Sequence, residues 1–223
     1  MEGLRLDSAP LVPEVRLHLT DDDVDLWERI EARAGREQPP PFWASAWPGG
    51  QAVARYVLDR PEVVAGRRVL DLAAGCGLIA IAAALAGAAA VTANDLDPYA
   101  LAAVDRNAAA NGVRVSTVGG DLLDGDGGAA EVILAGDVFY SRELAARMSA
   151  FVGRVAARGA DVYVGDPGRA FLPVHRLVPA ARYGVPDAGP VTVWRPVPRA
   201  HRVPPAYRVP RALRGAAAGG TAP

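Results

Sequence analysis

The stretch "VLDLAAGCG", Val69 to Gly77, decides the fold of this sequence. Its apolar start is typical of a buried β-strand, and its glycine-rich end predicts a tight turn into the helix "LIAIAAALAG". An aspartate, Asp71, nevertheless stands inside the apolar run. The chemistry that accounts for this carboxylate also indicates which cofactor the protein binds.

The same alternation of strand and helix continues downstream of Gly77. Asp97 and Pro98 are typical of an N-cap and a first-turn proline, and Ser141 is typical of an N-cap. Near-continuous apolar strands that alternate with helices predict a doubly wound α/β domain with a mostly parallel sheet, covered on both faces. The predicted parallel strands are "RVLDLAA", "AVTAND", "VRVSTVG", "EVILAG" and "ADVYVG", and "ARYGV" and "VTVWRP" predict an antiparallel hairpin that completes the sheet.

The two ends of the chain differ from this central domain, which we place at 41–198. Residues 1–40 are polar and predict an irregular extension with one helix, in which Thr20 is the N-cap and Gly35 the stop. Three aspartates, Asp21 to Asp23, would lie in its first turn; helix capping is the favoured interpretation and a metal site the alternative. Residues 199–223 are rich in proline, arginine, alanine and glycine, and we expect a disordered, solvated tail.

Composition excludes several classes of function. The 223-residue chain has a net charge of −1, so nothing in its bulk charge favours a nucleic acid or an anionic membrane. It contains no lysine, which excludes a phosphate-binding or Schiff-base lysine. Its three histidines are scattered, and we expect no metal. With one cysteine, no secretory signal and no apolar run of the ~20 residues that span a bilayer, we expect a cytoplasmic protein.

The glycine turn matches a nucleotide-binding pattern. Gly75 to Ala80 fits G-x-G-x-x-(G/A), and Asp95 lies 18 residues after Gly77, where an acid hydrogen-bonds a ribose. Both features predict an adenosine-containing cofactor at the carboxyl edge of the sheet. Neither distinguishes one such cofactor from another.

Asp71 separates the candidates. A carboxylate at this strand end would repel the pyrophosphate of a dinucleotide, but it would attract the cationic methionine moiety of S-adenosylmethionine. The alternative is that Asp71 only caps the turn. Asp121 could accept a hydrogen bond from an adenine amino group or be a plain turn residue, and Asp137 ends a strand beside the crevice.

Five motifs together carry a family resemblance: "VLDLAAGCG", "ANDLDP", "GDVFY", "GDPGR" and, most specifically, "PFWASAWPGG". They resemble the class I, seven-strand S-adenosylmethionine-dependent methyltransferases, and within that class the protein-lysine methyltransferases of the electron transfer flavoprotein β subunit. The resemblance covers about 12–195. It implies a Rossmann-like seven-stranded sheet and a protein substrate, either that β subunit or a ribosomal protein.

The resemblance also implies which residues form the cofactor site. Ala73 stands where the family usually has glycine; because it precedes the tight turn, we expect the loop to survive. Trp47 is expected beside the methionine end of the cofactor. The cofactor contacts predicted at the strand ends are Asp71, Gly75, Gly77, Asp95, Leu96, Asp121 and Leu122.

The acceptor side is predicted from "GDVFY". Asp137 would position the acceptor amine rather than act as a strong base, because a carboxylate also favours the charged amine. Tyr140 is predicted as its catalytic partner and Phe139 as a wall of the acceptor channel. Phe42 and Trp43 are candidates for a lysine slot, with packing of the N-terminal segment as the alternative.

Other functions remain open from the sequence. A small-molecule N- or O-methyltransferase would use the same fold, and a non-catalytic binding module is a further alternative. An NAD(P)-binding reductase is disfavoured by Asp71 and by the absence of lysine. Cys76 at a helix N-terminus could have a lowered pKa, but without a histidine near it in sequence we do not expect a nucleophile. We expect a monomer that does not bind nucleic acid.

Overall fold

The structure is a computed structural model that describes residues 3–198. The strands within these residues are β1 Arg5–Ala9, β2 Val12–Leu19, β3 Arg68–Leu72, β4 Ala90–Asp95, β5 Ser116–Gly119, β6 Val132–Gly136, β7 Asp161–Asp166, β8 Leu177–Val185 and β9 Gly189–Pro196. The α-helices are α1 Asp23–Ala34, α2 Pro48–Asp59, α3 Leu78–Leu85, α4 Pro98–Ala110 and α5 Arg142–Ala157.

Seven strands form one sheet in the order β5-β4-β3-β6-β7-β9-β8. The first five run parallel, and β9 runs antiparallel to both β7 and β8. The sequence prediction of a mostly parallel sheet completed by a hairpin is therefore confirmed. All five parallel strands end at the same edge of the sheet, which we call the carboxyl edge.

Both faces of the central strands are covered. Val69 of β3 packs in a cluster with residues of α2 and α3, whereas the next residue, Leu70, packs on the other face with residues of α5. Because successive side chains of a strand point to opposite faces, β3 is buried on both and reads as a continuous apolar run. This is why Asp71, in the same strand, is buried as well.

The N-terminal segment is more regular than the sequence indicated. Instead of irregular chain before one helix, β1 and β2 form an antiparallel hairpin, and its apolar side packs on α2 and α3. The helix that follows is capped by Asp22 rather than Thr20, and it ends at Gly35 as predicted, with φ of 65°. The capping interpretation of the three aspartates therefore holds for Asp22. No cluster of three or more metal-ligating side chains occurs in residues 3–198.

The connection between β5 and β6 is an arginine-held loop. Arg147 pairs with Asp121 and Asp124, and further along α5 Arg154 and Arg158 donate to loop backbone carbonyls. Since no helix covers the sheet here, a cavity of about 440 Å³ lies between this loop and the starts of β3 and β4. That cavity is apart from the glycine turn.

The remaining boundaries follow the sequence predictions closely. Asp97 and Ser141 are the N-caps of α4 and α5. The helix predicted from Gln51 begins at Pro48, and the strand predicted as "VRVSTVG" pairs only over β5. No helix in 3–198 is long and apolar enough to cross a membrane. The tail predicted at 199–223 lies outside the described residues.

Candidate functional site

Three alternate residues between β3 and α3 have left-handed backbone. Ala73 has φ of 56°, Gly75 of 54° and Gly77 of 80°. A Cβ at Gly77 would lie 3.1 Å from Val104 Cγ2, so this glycine also allows α4 to approach. Ala73 precedes the hydrogen-bonded turn, which the Gly77 N–H closes on the Ala74 carbonyl, as expected. Its own backbone is nevertheless left-handed, a conformation that glycine adopts more readily than alanine.

Asp71 lies beneath this turn and is fully buried. The backbone N–H of Ala80 donates to its Oδ2 at 2.9 Å, so the capping alternative is realised by one oxygen. Its Oδ1 is buried and has no hydrogen-bond partner in the described part of the chain. Burial raises the pKa of Asp71 to about 8, the Ala80 hydrogen bond opposes the shift, and the nearby Asp95 adds to it. A cation beside Oδ1 would restore the charged form.

Asp95, at the end of β4, is bonded to the same turn. Its Oδ2 accepts from the backbone N–H of Gly75 at 2.9 Å, and its Oδ1 from that of Asp97 at 3.0 Å. The following residue, Leu96, is 72% exposed. The two predicted acids and the glycine turn are thus brought together at the carboxyl edge.

Asp121 and Leu122 follow β5 at the same edge. Oδ1 of Asp121 accepts from the backbone N–H of Leu123 at 2.9 Å, and Arg147 pairs with Oδ2 at 2.7 Å. This hydrogen bond from Arg147 lowers the pKa of Asp121, which therefore stays ionised. Leu122 packs towards the α5 side and lines the cavity described above.

The N-terminus of α2 rests on the ends of β6 and β7 by backbone contact. A Cβ on Gly165 would lie 2.0 Å from the Gly49 carbonyl oxygen, and a Cβ on Gly136 would lie 2.5 Å from the Gly50 nitrogen. Neither distance can accommodate a real side chain. The motifs "WPGG", "GDVFY" and "GDPGR" therefore meet at one place, which we call the three-glycine contact: Gly49, Gly136 and Gly165.

Asp137 is bound within this contact. Its Oδ2 accepts from the backbone N–H groups of Gly49 at 2.6 Å and Gly50 at 3.3 Å, and Arg169 donates to its Oδ1 at 2.7 Å. The residue is 8% exposed and has φ of 58°. Because Asp137 is buried and its oxygens face α2 and Arg169, the prediction that it faces the acceptor amine does not match the structure. Its contacts place it as a cap of α2.

The aromatic residues divide into core and surface. Phe139 is 1% exposed and packs against α5, and Trp43 is 3% exposed and stacks on Tyr99 at 6.3 Å. Phe139 was predicted to line the acceptor channel, and this is wrong because its ring fills the core. For Trp43 the packing alternative holds rather than the lysine slot. By contrast Tyr140 is 64% exposed, and its role beside the acceptor stays a prediction.

Phe42 and Trp47 form an exposed pair. Phe42 is 61% and Trp47 37% exposed, their rings meet edge to face at 5.9 Å, and Trp47 Nε1 donates to the Phe42 carbonyl at 2.7 Å. Trp47 is also the residue that precedes α2. An exposed aromatic pair at the start of a helix seated on the sheet edge is available to a ligand in the crevice.

Cys76 was considered from the sequence as a reactive residue, and Arg169 was overlooked. Burial raises the pKa of the Cys76 thiol to about 11, which agrees with the expectation that it is not a nucleophile. Arg169 was not recognised as part of the site. Its signal was present in "GDPGR", a motif that carries an arginine three residues after the strand end.

Comparisons with known proteins decide the family. The family model described as "Ribosomal protein L11 methyltransferase (PrmA)" matches residues 55–138. The electron transfer flavoprotein beta subunit lysine methyltransferase of Xenopus laevis is 39% identical over 193 residues, which are 81% of this chain and 75% of the relative. The chain belongs to this family of electron transfer flavoprotein beta subunit lysine methyltransferases. The Danio rerio member is 40% identical over 77% of this chain and 67% of its own length.

The fold comparison agrees with this family. The crystal structure of magnesium protoporphyrin IX methyltransferase from Synechocystis PCC 6803 with bound SAH matches with a TM-score of 0.52 and 14% identity, over 78% of this chain and 96% of that one. At this identity the match shows the fold alone. The chain therefore shares the α/β fold of that structure, and the family resemblance predicted from the sequence is confirmed by the relatives. The chain is a methyltransferase, and its family acts on a protein.

Proposed function

We propose that this chain transfers a methyl group from S-adenosylmethionine to a lysine side chain of the electron transfer flavoprotein β subunit. The observation that carries the proposal is its 39% identity to a lysine methyltransferase of that subunit, over three quarters of the relative's length. When bound, S-adenosylmethionine supplies a methyl carbon whose bond to a sulfonium sulfur breaks as the acceptor nitrogen's lone pair forms the new bond.

Asp71 supports this cofactor. A buried carboxylate with one unpartnered oxygen suits a ligand that brings a positive charge and N–H donors, as an α-ammonium group does. The same oxygen would repel a pyrophosphate. We propose that Asp71, Gly75 and Gly77 hold the methionine end and that Asp95 holds the ribose.

The outer cofactor contacts are proposed from position. Leu96, Asp121 and Leu122 follow the ends of β4 and β5, where an adenine ring would extend from the ribose. Trp47 directly precedes α2, whose start lies against the ends of β6 and β7 at the same carboxyl edge. An exposed indole there is suited to cover the methionine end and exclude water.

The acceptor side is proposed to lie between Tyr140 and the Phe42–Trp47 pair. Methyl transfer from a sulfonium needs alignment of a neutral amine more than a strong base. Asp137 is engaged by α2 and Arg169, so it is not placed to remove the amine proton, which would pass to water. Exposed Tyr140 would contact the amine or the aliphatic part of the lysine.

A ribosomal protein is the second candidate target. The family model for ribosomal protein L11 methyltransferases matches 84 residues, 55–138, which include the glycine turn, Asp95 and Asp137. This part of the chain forms the proposed cofactor site rather than the aromatic segment. It therefore supports the reaction type more than the target.

The experiment is a transfer assay with labelled S-adenosylmethionine and two purified acceptors, the electron transfer flavoprotein β subunit and ribosomal protein L11. Because the enzyme contains no lysine, no label can enter its own band on a lysine side chain. We expect label on the flavoprotein subunit, and peptide mass spectrometry to place it on lysine. Label on L11 alone would make ribosomal protein L11 the substrate. Label found only in the small molecules of a cell extract would contradict a protein target.

A matched pair of variants tests the cofactor site within the same assay. Asp71→Asn removes the charge but keeps an acceptor for Ala80, and we expect weaker binding of S-adenosylhomocysteine and slower transfer. Asp105→Asn, on the exposed side of α4, is the control and should behave as wild type.

We further propose that the enzyme is a cytoplasmic monomer that binds no nucleic acid. Its single, buried, free cysteine suits a reducing compartment.

A further inference from the structure

Arg169 is the one cation that contacts the carboxylate at the three-glycine contact in the described part of the chain. Its guanidinium is 30% exposed and Asp137 is 8% exposed, so this pair is largely removed from water. An ion pair in such surroundings is screened little by solvent. The geometry of this ion pair therefore affects the groups that are hydrogen-bonded to Asp137.

Asp137 holds the first N–H groups of α2. The first four backbone N–H groups of a helix have no partner within it, and here the side chain of Asp137 receives those of Gly49 and Gly50. Because these glycines carry no side chain, the backbone at the start of α2 lies directly against the strand ends, and its N–H groups reach the carboxylate of Asp137. The carboxylate is therefore one of the groups that set the position of α2 at this end.

Arg169 is itself fixed by the turn that carries it. Asp166, at the end of β7, is 1% exposed, and its Oδ1 accepts from the backbone N–H groups of Gly168 and Arg169, each at 2.7 Å. This turn returns the arginine side chain towards β6. A continuous chain of contacts thus runs from β7 through Arg169 and Asp137 to α2.

The helix end reached by this chain carries the cofactor-side aromatic residue. Trp47 immediately precedes α2, and the turn that contains Tyr140 immediately follows Asp137. One carboxylate therefore connects the backbone of the proposed cofactor wall with that of the proposed acceptor wall. Displacements of about 1 Å between reacting groups can lower the rate about 10²-fold.

We propose that Arg169 is a positioning residue for methyl transfer, which acts through Asp137 to set the start of α2, and with it Trp47, relative to Tyr140. The inference rests on the proposed function. It assigns to the arginine of "GDPGR" no contact with cofactor or acceptor. Its effect is on alignment, so it should appear in kcat more than in cofactor affinity.

The test compares Arg169→Gln, Arg169→Lys and the control Arg176→Met, an exposed arginine on the same connection between β7 and β8. We expect Arg169→Gln to lower kcat about 10²-fold, with the affinity for S-adenosylhomocysteine close to that of wild type. Arg169→Lys, which keeps the charge without the planar fork, should recover part of this loss. Arg176→Met should leave kcat unchanged.

A second readout does not depend on activity. Amide hydrogen exchange of Gly49 and Gly50, measured by NMR on glycine-labelled protein, should become faster in Arg169→Gln and stay slow in Arg176→Met. In an Asp137→Asn background, Arg169→Gln should cause little further loss of kcat, since both substitutions remove one interaction.

The outcomes separate the two proposals. Unchanged protection of both glycine amides in Arg169→Gln would overturn the positioning role, and so would faster exchange with an unchanged kcat. Additive losses in the double variant would mean that Arg169 acts directly on a ligand, which also contradicts it. If wild-type enzyme methylates neither acceptor, the proposed function fails, while the amide exchange still decides whether Arg169 holds α2. Should Arg169→Gln not fold, Arg169→Lys and the double variant give the decision.

Discussion

Ala73 shows how one residue stores strain in a functional turn. Its φ of 56° lies in the left-handed region, where the side chain of an L-residue approaches the following carbonyl. The family resemblance indicated glycine at this place, and the structure supplies the physical reason. The turn is nevertheless formed, because hydrogen bonds of the next two residues hold it: Ala74 donates to Asn94, and Gly75 donates to Asp95.

Ala73→Gly should therefore stabilise the protein. Left-handed alanine costs about 1–2 kcal/mol, whereas the greater freedom of glycine in the unfolded chain costs about 0.5–1 kcal/mol. The difference predicts a gain in the free energy of unfolding of about 0.5–1 kcal/mol, measured by urea titration. Ala74→Gly is the control: its φ is not positive, so only the entropic cost remains and stability should fall. A loss of stability in Ala73→Gly as large as that in Ala74→Gly would contradict the strain.

At the scale of elements, the position of α2 on the sheet depends on glycines, whose lack of a side chain allows the backbones to touch. Most helices pack on a sheet through side chains, which keep the two backbones about 10 Å apart. Here the start of α2 meets the strand ends backbone to backbone, and only there. The rest of the helix packs conventionally, through buried residues such as Val53 and Val57.

Gly165→Ala tests this contact. Its Cβ would lie 2.0 Å from the backbone oxygen of Gly49, an atom that cannot rotate away. We expect the free energy of unfolding to fall by about 3 kcal/mol. Gly153→Ala, in the exposed interior of α5 with nothing within 4 Å, should instead raise it by about 0.5–1 kcal/mol. Equal stabilities of the two variants would show that α2 does not rest on the sheet in this way.

The arginine-held loop is the second element that polar contacts hold in place, in addition to the packing of its Leu123 in the core. Arg147 and Arg154 of α5, and Arg158 directly after it, donate mainly to carbonyls of this glycine-rich loop. Hydrogen bonds from charged donors are stronger than neutral ones. The loop is thereby kept in one place, and with it Asp121.

For the whole molecule, buried carboxyl groups link stability to pH. Burial raises the pKa values of Asp71, Asp97 and Asp166, that of Asp71 from 3.8 to about 8. A group whose pKa is higher in the folded state favours folding while it is protonated in both states. Its contribution is therefore complete below about pH 4 and is lost as the pH rises towards 8.

Asp71→Asn should remove the largest part of this dependence. In the absence of ligand, the free energy of unfolding of the variant relative to wild type should increase between pH 5 and pH 9, by at most about 1.4 kcal/mol per pH unit. Urea titrations at three pH values measure it, with Asp105→Asn as control. A difference that does not vary with pH would show that the Asp71 carboxyl group has an ordinary pKa in the folded protein.

The sequence predicted the features that local signals determine. The strands of the sheet are apolar runs bounded by turn residues, and the caps Asp97 and Ser141 are recognisable from a few neighbours. The hairpin β1–β2 was missed because its exposed side is charged and its apolar side finds its partners on α2, α3 and α4, which lie far away in sequence. Local pattern alone does not show such packing.

The site was predicted less completely, for a similar reason. The position of Asp71, Asp95 and the glycine turn follows from one strand–turn–helix unit and its neighbour. The partners of Asp137 are 88 and 32 residues away in sequence, so no local pattern could indicate that its oxygens are already engaged. Phe139 was misassigned, and Trp43 was left with two interpretations, because an aromatic residue beside a crevice and one beneath it look alike in sequence.

The ion pairs that hold the loop and α2 have a consequence for catalysis at high pH. Every side-chain cation in them is an arginine, and the chain contains no lysine. The side chain that would accept the methyl group loses its proton near pH 10.4, whereas guanidinium groups keep theirs beyond pH 12. In alkaline solution the acceptor thus becomes a better nucleophile, and these ion pairs contain no ammonium group that would lose its charge in the same range as the acceptor.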